Sequence, residues 1–345
     1  MSQKFVEVLR GNRLESCHYG SVAVVDKDKN LLAEAGEAKS LTFWRSAAKP
    51  VQLLPVLTSG AAEHFQFTDK ELAVMMASHS GQKIHRKQVN SILNKIGVDK
   101  EELKCGTHSP IHKPTRRKLY SDQKKPDVIH NNCSGKHAAM LSLCVYNDWS
   151  RENYDQLDHP LQQLLLDYIS ELTGYPRNKI ETGIDGCGVI VYNIPLKNMA
   201  AAYARMINPV DLSGDLKKAC QRLPEVMNNN PKLIAGSGRF NKDLLAGYKG
   251  EKILAKTGAE GIFCLAHSSG WGAAVKVCDG NKRAIPPVVL DCLKIIEEFQ
   301  PEKQGVLQNY ISPDIKNNRD DKAGYIKSKL NLRFIKQEGL FDAGN

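Results

Sequence analysis

The chain has 345 residues, 41% hydrophobic and 25% charged, with 26 Gly and 15 Pro. Those values are ordinary for a globular protein and exclude a disordered, collagen-like or coiled-coil chain, and no run approaches the ~18 apolar residues of a membrane span. The 48 Lys and Arg outnumber 38 acidic residues, for a net charge of +10; with no DNA- or RNA-binding motif beside it, that charge reads as a solvated surface, and no nucleic-acid partner is expected.

The N-terminal segment MSQKFVEVLRGNRLES has no apolar h-region, so a cytoplasmic location is expected. The first 45 residues read as strands, Ser21–Val25 and Leu31–Ala35 forming a hairpin about the turn-rich DKDKN. Residues 46–247 are mainly helical. Val51, Leu53, Leu54, Val56 and Leu57 make a segment apolar nearly all round, hence a buried helix that Pro55 is expected to kink. Thr68-Asp69-Lys70-Glu71 is a capping-box signature whose helix is expected to end near Ser78. Helices follow at Gln88–Ile96, closed by Gly97, at Leu161–Leu172, closed by Gly174, at Met199–Ile207 and at Leu216–Val226. Strands return at Ile253–Thr257, Ile262–Ala266 and Ala273–Val277; Pro286 and Pro287 then open a helix through Phe299, and Tyr325–Phe334 is a last strand. The expected fold is α+β in one body, an antiparallel sheet from both chain ends (1–45 and 248–345) with the helical part inserted.

Nine cysteines, with no CxxC pair, read as reduced thiols and mostly as core filler. Ser46-Ala47-Ala48-Lys49 opens the buried helix, and S-x-x-K spacing sets a hydroxyl and an amine one turn apart on one face, where a neutral lysine could activate the serine. Alone, a serine there is as readily a cap. Lys256-Thr257-Gly258 on a late strand adds a second signal, because S-x-x-K on a buried helix with K-T-G on a strand is the arrangement of penicillin-binding proteins and serine β-lactamases. The S-x-N box of those enzymes has no good counterpart. In its place stand Ser78-His79-Ser80-Gly81, Asn132-Cys133-Ser134-Gly135-Lys136-His137 and Asp185-Gly186-Cys187-Gly188, each readable as a site loop or as plain turn chemistry.

Together FWRSAAKP, MMASHSG, NNCSGKHAAM, TGIDGCGV and AKTGAEGIFCLA, in order along the chain, resemble the signature segments of the bacterial class 3, Rhizobium-type L-asparaginases of the asparaginase II family. The resemblance implies a β-lactamase- and glutaminase-like fold, a cytosolic homodimer, hydrolysis of L-asparagine to aspartate and ammonia, and no organic cofactor. It also implies two Ser–Lys pairs, Ser46 with Lys49 and Ser78 with Lys256, and zinc held by Cys133, Lys136 and Cys187. Asp185 corresponds to a residue near metal and substrate. The IVYNIPL run after Gly188 is bulkier than the family's pattern, which bears on selectivity within the pocket.

The chemistry suits these residue types. A free lysine, pKa ~10.4, is protonated at neutral pH, whereas burial and a neighbouring lysine both lower its pKa. By the S-x-x-K analogy Ser46, in preference to the alternative Ser78, is expected to attack the side-chain amide with Lys49 taking its proton, and Ser78 with Lys256 to relay a proton to the leaving ammonia. Arg45, Arg239 and His137 are candidates for the substrate's carboxylate, and Asp185 for its ammonium. A glutaminase is the neighbouring alternative, since one methylene changes binding by only ~1–3 kcal/mol. A β-lactam-hydrolysing protein is a further one.

Overall fold

Residues 21–25, SVAVV, are all buried, which a strand achieves only in the middle of a sheet covered on both faces. The computed structural model, which describes residues 1–248, 252–297, 300 and 305–335, puts them there. In chain order the strands are β1 (Gln3–Arg10), β2 (Arg13–Asp26), β3 (Leu31–Ala35), β4 (Leu41–Phe43), β5 (Glu181–Ile184) and β6 (Ile190–Pro195). They continue with β7 (Ile253–Thr257), β8 (Ile262–His267), β9 (Trp271–Val277), β10 (Asp314–Lys316), β11 (Lys322–Ser328) and β12 (Arg333–Phe334). The large antiparallel sheet runs β10-β11-β1-β2-β9-β8-β7, with β3 added to β2 and β12 to β3. Strands from both chain ends thus share one sheet, and most of the helices come from the sequence between them, the α+β arrangement expected. The hairpin also forms, with Val22 opposite Ala35 and Val24 opposite Ala33. Its turn is closed by the Asp26 carboxylate, which accepts the Asp28 and Asn30 N–H groups at 2.9 and 2.8 Å.

Two expectations need correction. Tyr325–Phe334 is not one strand: β11 pairs with β1, whereas β12 pairs with β3. The chain has to leave one partner for the other, and the Lys329 N–H donates to the Phe5 carbonyl at the crossing. The helical stretch also carries two strands, β5 and β6, which join β4 in a small second sheet, β4-β6-β5. The expected end of the proline-opened helix, Phe299, lies outside the described residues; the helix itself covers Ile285–Glu297. Among the described residues no helix is long and apolar enough to cross a membrane.

The helix Lys49–Thr58 is buried from Lys49 through Val56 and continues through Pro55. The capping box forms as read: Thr68 Oγ1 accepts the Glu71 N–H at 3.4 Å, and the Glu71 carboxylate accepts the Thr68 N–H at 2.7 Å. The helix it starts, Asp69–Met75, stops just short of Ser78. The helices Lys83–Ile96 and Pro160–Thr173 end at Gly97 and Gly174. The helix Ser134–Tyr146 packs on Asp69–Met75 at Gly135, where an added Cβ would lie 2.1 Å from the Val74 carbonyl oxygen. That oxygen also accepts the Ala77 N–H at 3.1 Å, so the contact seats the loop that carries Ser78. Gly135→Ala is expected to force the helices apart and to destabilise the protein by about 2–3 kcal/mol, read as a lower urea midpoint. An unchanged midpoint would show the contact to be slack.

Candidate active site

Lys49 starts the buried helix, directly after a 3₁₀ turn over Arg45–Ala48. Its side chain is almost wholly buried. The amine donates to the Ala77 carbonyl at 2.5 Å and to the Asn132 carbonyl at 3.4 Å. It also lies 3.3 Å from Ser78 Oγ and 3.3 Å from Cys133 Sγ. Lys256 reaches the same serine from β7: its Nζ is 2.8 Å from Ser78 Oγ and 2.8 Å from the Thr257 carbonyl. Ser78 therefore stands between two lysine amines, and its backbone is fixed by an N–H bond to the Ile234 carbonyl at 3.1 Å. The next residue locks the loop. His79 Nδ1 accepts the Gly81 N–H, which leaves Nε2–H to donate to Ser134 Oγ at 2.9 Å.

Ser46 sits half-buried in the 3₁₀ turn, and among the described residues its hydroxyl meets no hydrogen-bond partner. The expected Ser78–Lys256 contact is present, whereas the Lys49 amine meets Ser78 and not Ser46, so one serine lies between the two lysines. The cause is local: the Lys49 amine is taken up by acceptors from the Ala77–Ser78 and Asn132–Cys133 segments. Lys256 is fully buried, and no carboxylate pairs with it among the described residues. Burial first, and then the charges of Lys49 and Arg239, hold its pKa well below the ordinary lysine value.

Ser46 lines a cavity of about 210 Å³ together with Arg45, His108, Asn131, Cys133, Asp185 and Cys187. Larger hollows of 440–480 Å³ lie elsewhere on the surface and hold none of the expected site residues. Arg45 Nε and Nη2 donate to Asp185 Oδ1 at 2.9 and 2.8 Å. Arg45 adopts φ +50°, a left-handed conformation uncommon for a residue with a side chain and often found at functional sites. Burial alone would raise the Asp185 pKa, but Lys136 and Arg45 outweigh it and keep the carboxyl below its usual range.

Cys133 caps the helix Ser134–Tyr146, Lys136 follows in its first turn, and Cys187 lies in the loop between β5 and β6. Lys136 Nζ donates to Cys187 Sγ at 3.0 Å. The Cys133 thiol is held well below its usual pKa by a hydrogen bond from Cys187 and, against burial, by Lys49 and Lys136. The Cys187 thiol is pushed up by the same hydrogen bond and by burial. Folding thus unites two sulfurs and an amine that sequence spacing did not connect. Among the described residues no three His, Cys, Asp or Glu side chains form a metal cluster, and the third donor of this set is a lysine.

His137 and Arg239 do not line this cavity. His137 is fully buried, its Nδ1 2.7 Å from the Tyr154 hydroxyl, and burial holds its pKa well below the ordinary value. Arg239 lines a different cavity, beside Thr257 and Phe263. Sequence reasoning missed three supporting residues. His108 Nε2 accepts the Asn132 N–H at 2.9 Å, and Asn131 Oδ1 accepts the Cys133 N–H at 2.8 Å. Tyr203 OH donates to the Ala47 carbonyl at 2.7 Å and so holds the 3₁₀ turn. Only Asn131 carried a signal, as an Asx residue two positions before a turn cysteine.

The family model described as L-asparaginase II matches residues 6–328 of the chain. No curated protein matches it. Similar solved structures include a β-lactamase from Mycobacterium bovis, 12% identical with a TM-score of 0.37, the match covering 80% of this chain and 94% of that one. Two structures of Mglu, one in its native form, are each 15% identical, with TM-scores of 0.36 and 0.37 over 81% of this chain. The match spans 66% and 64% of those Mglu chains, just under two thirds of each.

Proposed function

The chain belongs to the L-asparaginase II family and is an amidohydrolase acting on a small-molecule substrate; from that premise we propose that it hydrolyses the side-chain amide of L-asparagine through a serine activated by lysine. The observation that supports this most is the Ser78 oxygen at 2.8 Å from Lys256 Nζ and 3.3 Å from Lys49 Nζ, with the Lys256 amine buried where its neutral form is favoured. Ser46, on the cavity wall, attacks the amide carbon. Its proton passes to Lys49 Nζ as Lys49 gives one to Ser78 Oγ and Ser78 gives one to Lys256. Closure of Ser46 onto Lys49 accompanies substrate binding, as catalytic hydrogen bonds often tighten only in the complex. The proton returns along the same path to the amide nitrogen, the C–N bond breaks, ammonia leaves, and water then cleaves the aspartyl ester. Arg45 and Asp185, already paired on the cavity wall, take the substrate's carboxylate and ammonium.

Cys133 and Cys187 suit zinc, because thiolate sulfur is among its ordinary ligands; the Lys136 amine, whose pKa the two thiols hold above the ordinary value against burial, would have to lose its proton to join them. They would hold the ion beside the cavity, where its charge would supply orientation for the substrate. Dialysed protein is expected to retain about one zinc per chain, and less in Cys187→Ser; well under one equivalent in the wild type would count against the site.

The function is tested by ammonia release from asparagine and glutamine side by side. Turnover of asparagine is expected, with glutamine slower, and release from neither would overturn the reading. An asparagine-like diazoketone is expected to label the Ser46 peptide; labelling of Ser78 instead would reverse the two serines' roles. A homodimer in the cytoplasm completes the reading.

A further inference from the structure

A second cavity of about 210 Å³ lies between the start of the helix Phe240–Gly247 and the start of the helix Ile285–Glu297, lined by Arg239, Asn241, Thr257, Phe263, Lys282 and Ile285. Its two charged lining residues are both cations. Arg239 is half-buried, its buried Nη1 has no hydrogen-bond partner, and among the described residues it forms no ion pair. Lys282, exposed at the rim, likewise pairs with no described residue. Neighbouring groups that could pair with the guanidinium are committed elsewhere. Asn241 spends its amide on the Ala255 carbonyl at 2.8 Å and its carbonyl on the Thr257 N–H at 3.0 Å. Asp243 is held by Lys242 at 2.8 Å and by the Tyr310 hydroxyl at 2.7 Å.

A half-buried guanidinium without a counter-charge or a full set of acceptors carries part of the cost of a buried charge, and an anion from outside the chain relieves it. A guanidinium on the wall of a small cavity offers N–H donors that suit the oxygens of a carboxylate or a phosphate, and a lysine at the rim adds attraction without competing for the same geometry. We propose that the Arg239–Lys282 cavity is a binding site for a small oxyanion, separate from the Arg45–Asp185 cavity. The site goes beyond the amidohydrolase reading and does not depend on it, since occupancy is measured without turnover.

The test is thermal unfolding of the full chain in inorganic phosphate or in succinate, against chloride at matched ionic strength. At a hundredfold excess over its Kd, the bound anion is expected to raise the wild-type Tm by about 4 °C. Lys282→Ala, on the exposed rim, is expected to need about tenfold more anion for the same rise. Arg239→Gln is expected to show no rise and, with the unpaired charge gone, a Tm in chloride no lower than that of the wild type. A response to phosphate alone, to succinate alone or to both supports the site and identifies its preferred oxyanion. Wild-type protein that responds to neither anion, or an equal rise in both variants, would overturn it.

Discussion

Lys256→Met is expected to lower kcat by about 10³-fold, the usual scale of a lost general base, while leaving the protein folded and more stable at neutral pH. Methionine keeps much of the length and all of the apolar stem of lysine, but has no amine to accept the Ser78 proton. The stability gain follows from linkage. In the folded protein the Lys256 pKa lies well below its ordinary value, whereas in the unfolded chain it returns to ~10.4. Between those two values the unfolded state binds the additional proton, so wild-type stability rises with pH across that window and is lower at its acid end. The Met variant lacks this slope. Ammonia release together with Tm measured across pH checks both parts. A variant that kept a tenth of wild-type activity, or unfolded at lower temperature with the same pH slope, would remove Lys256 from the role of base.

The serines are expected to separate by the kind of damage they do. Ser46→Ala should reduce turnover by about 10⁴-fold or more, since loss of a nucleophile leaves only binding and electrostatics, and should abolish covalent capture by the diazoketone. Ser78→Ala should cost about 10²–10³-fold, because the nucleophile remains while the oxygen between the two amines is gone. Slow labelling of Ser46 should persist in that variant. The reverse pattern, with capture surviving Ser46→Ala and vanishing in Ser78→Ala, would make Ser78 the attacking group.

The sheet was legible because its strands are short apolar runs separated by turn residues, as in Ile253–Thr257 and Ile262–His267. The Thr68 cap was legible because all of its chemistry lies within four consecutive residues. The β4-β6-β5 sheet was not, since Leu41 pairs with Pro195 across nearly half of the chain and each strand has only three to six residues. The same limit governs the site. S-x-x-K and K-T-G marked the two lysines, and the glycine-bordered clusters marked Ser78, Cys133 and Asp185. Which oxygen each amine meets depends on how the Ser78 loop and the Asn132–Cys133 turn pack against Lys49, and no local pattern encodes that packing. Arg239 is the sharpest case. Beside Gly238 and Phe240 it reads as a spare cation for the substrate, and only the fold shows that it faces another cavity.

The claim beneath the catalytic account is that one lysine amine in this protein is uncharged at neutral pH. Heteronuclear NMR of isotope-labelled lysine side chains observes that state directly. The account predicts a Lys256 resonance in the neutral-amine region at pH 7, missing from Lys256→Met and present in Ser46→Ala. A spectrum in which every lysine, Lys256 included, titrates as an ammonium up to about pH 10 would contradict it.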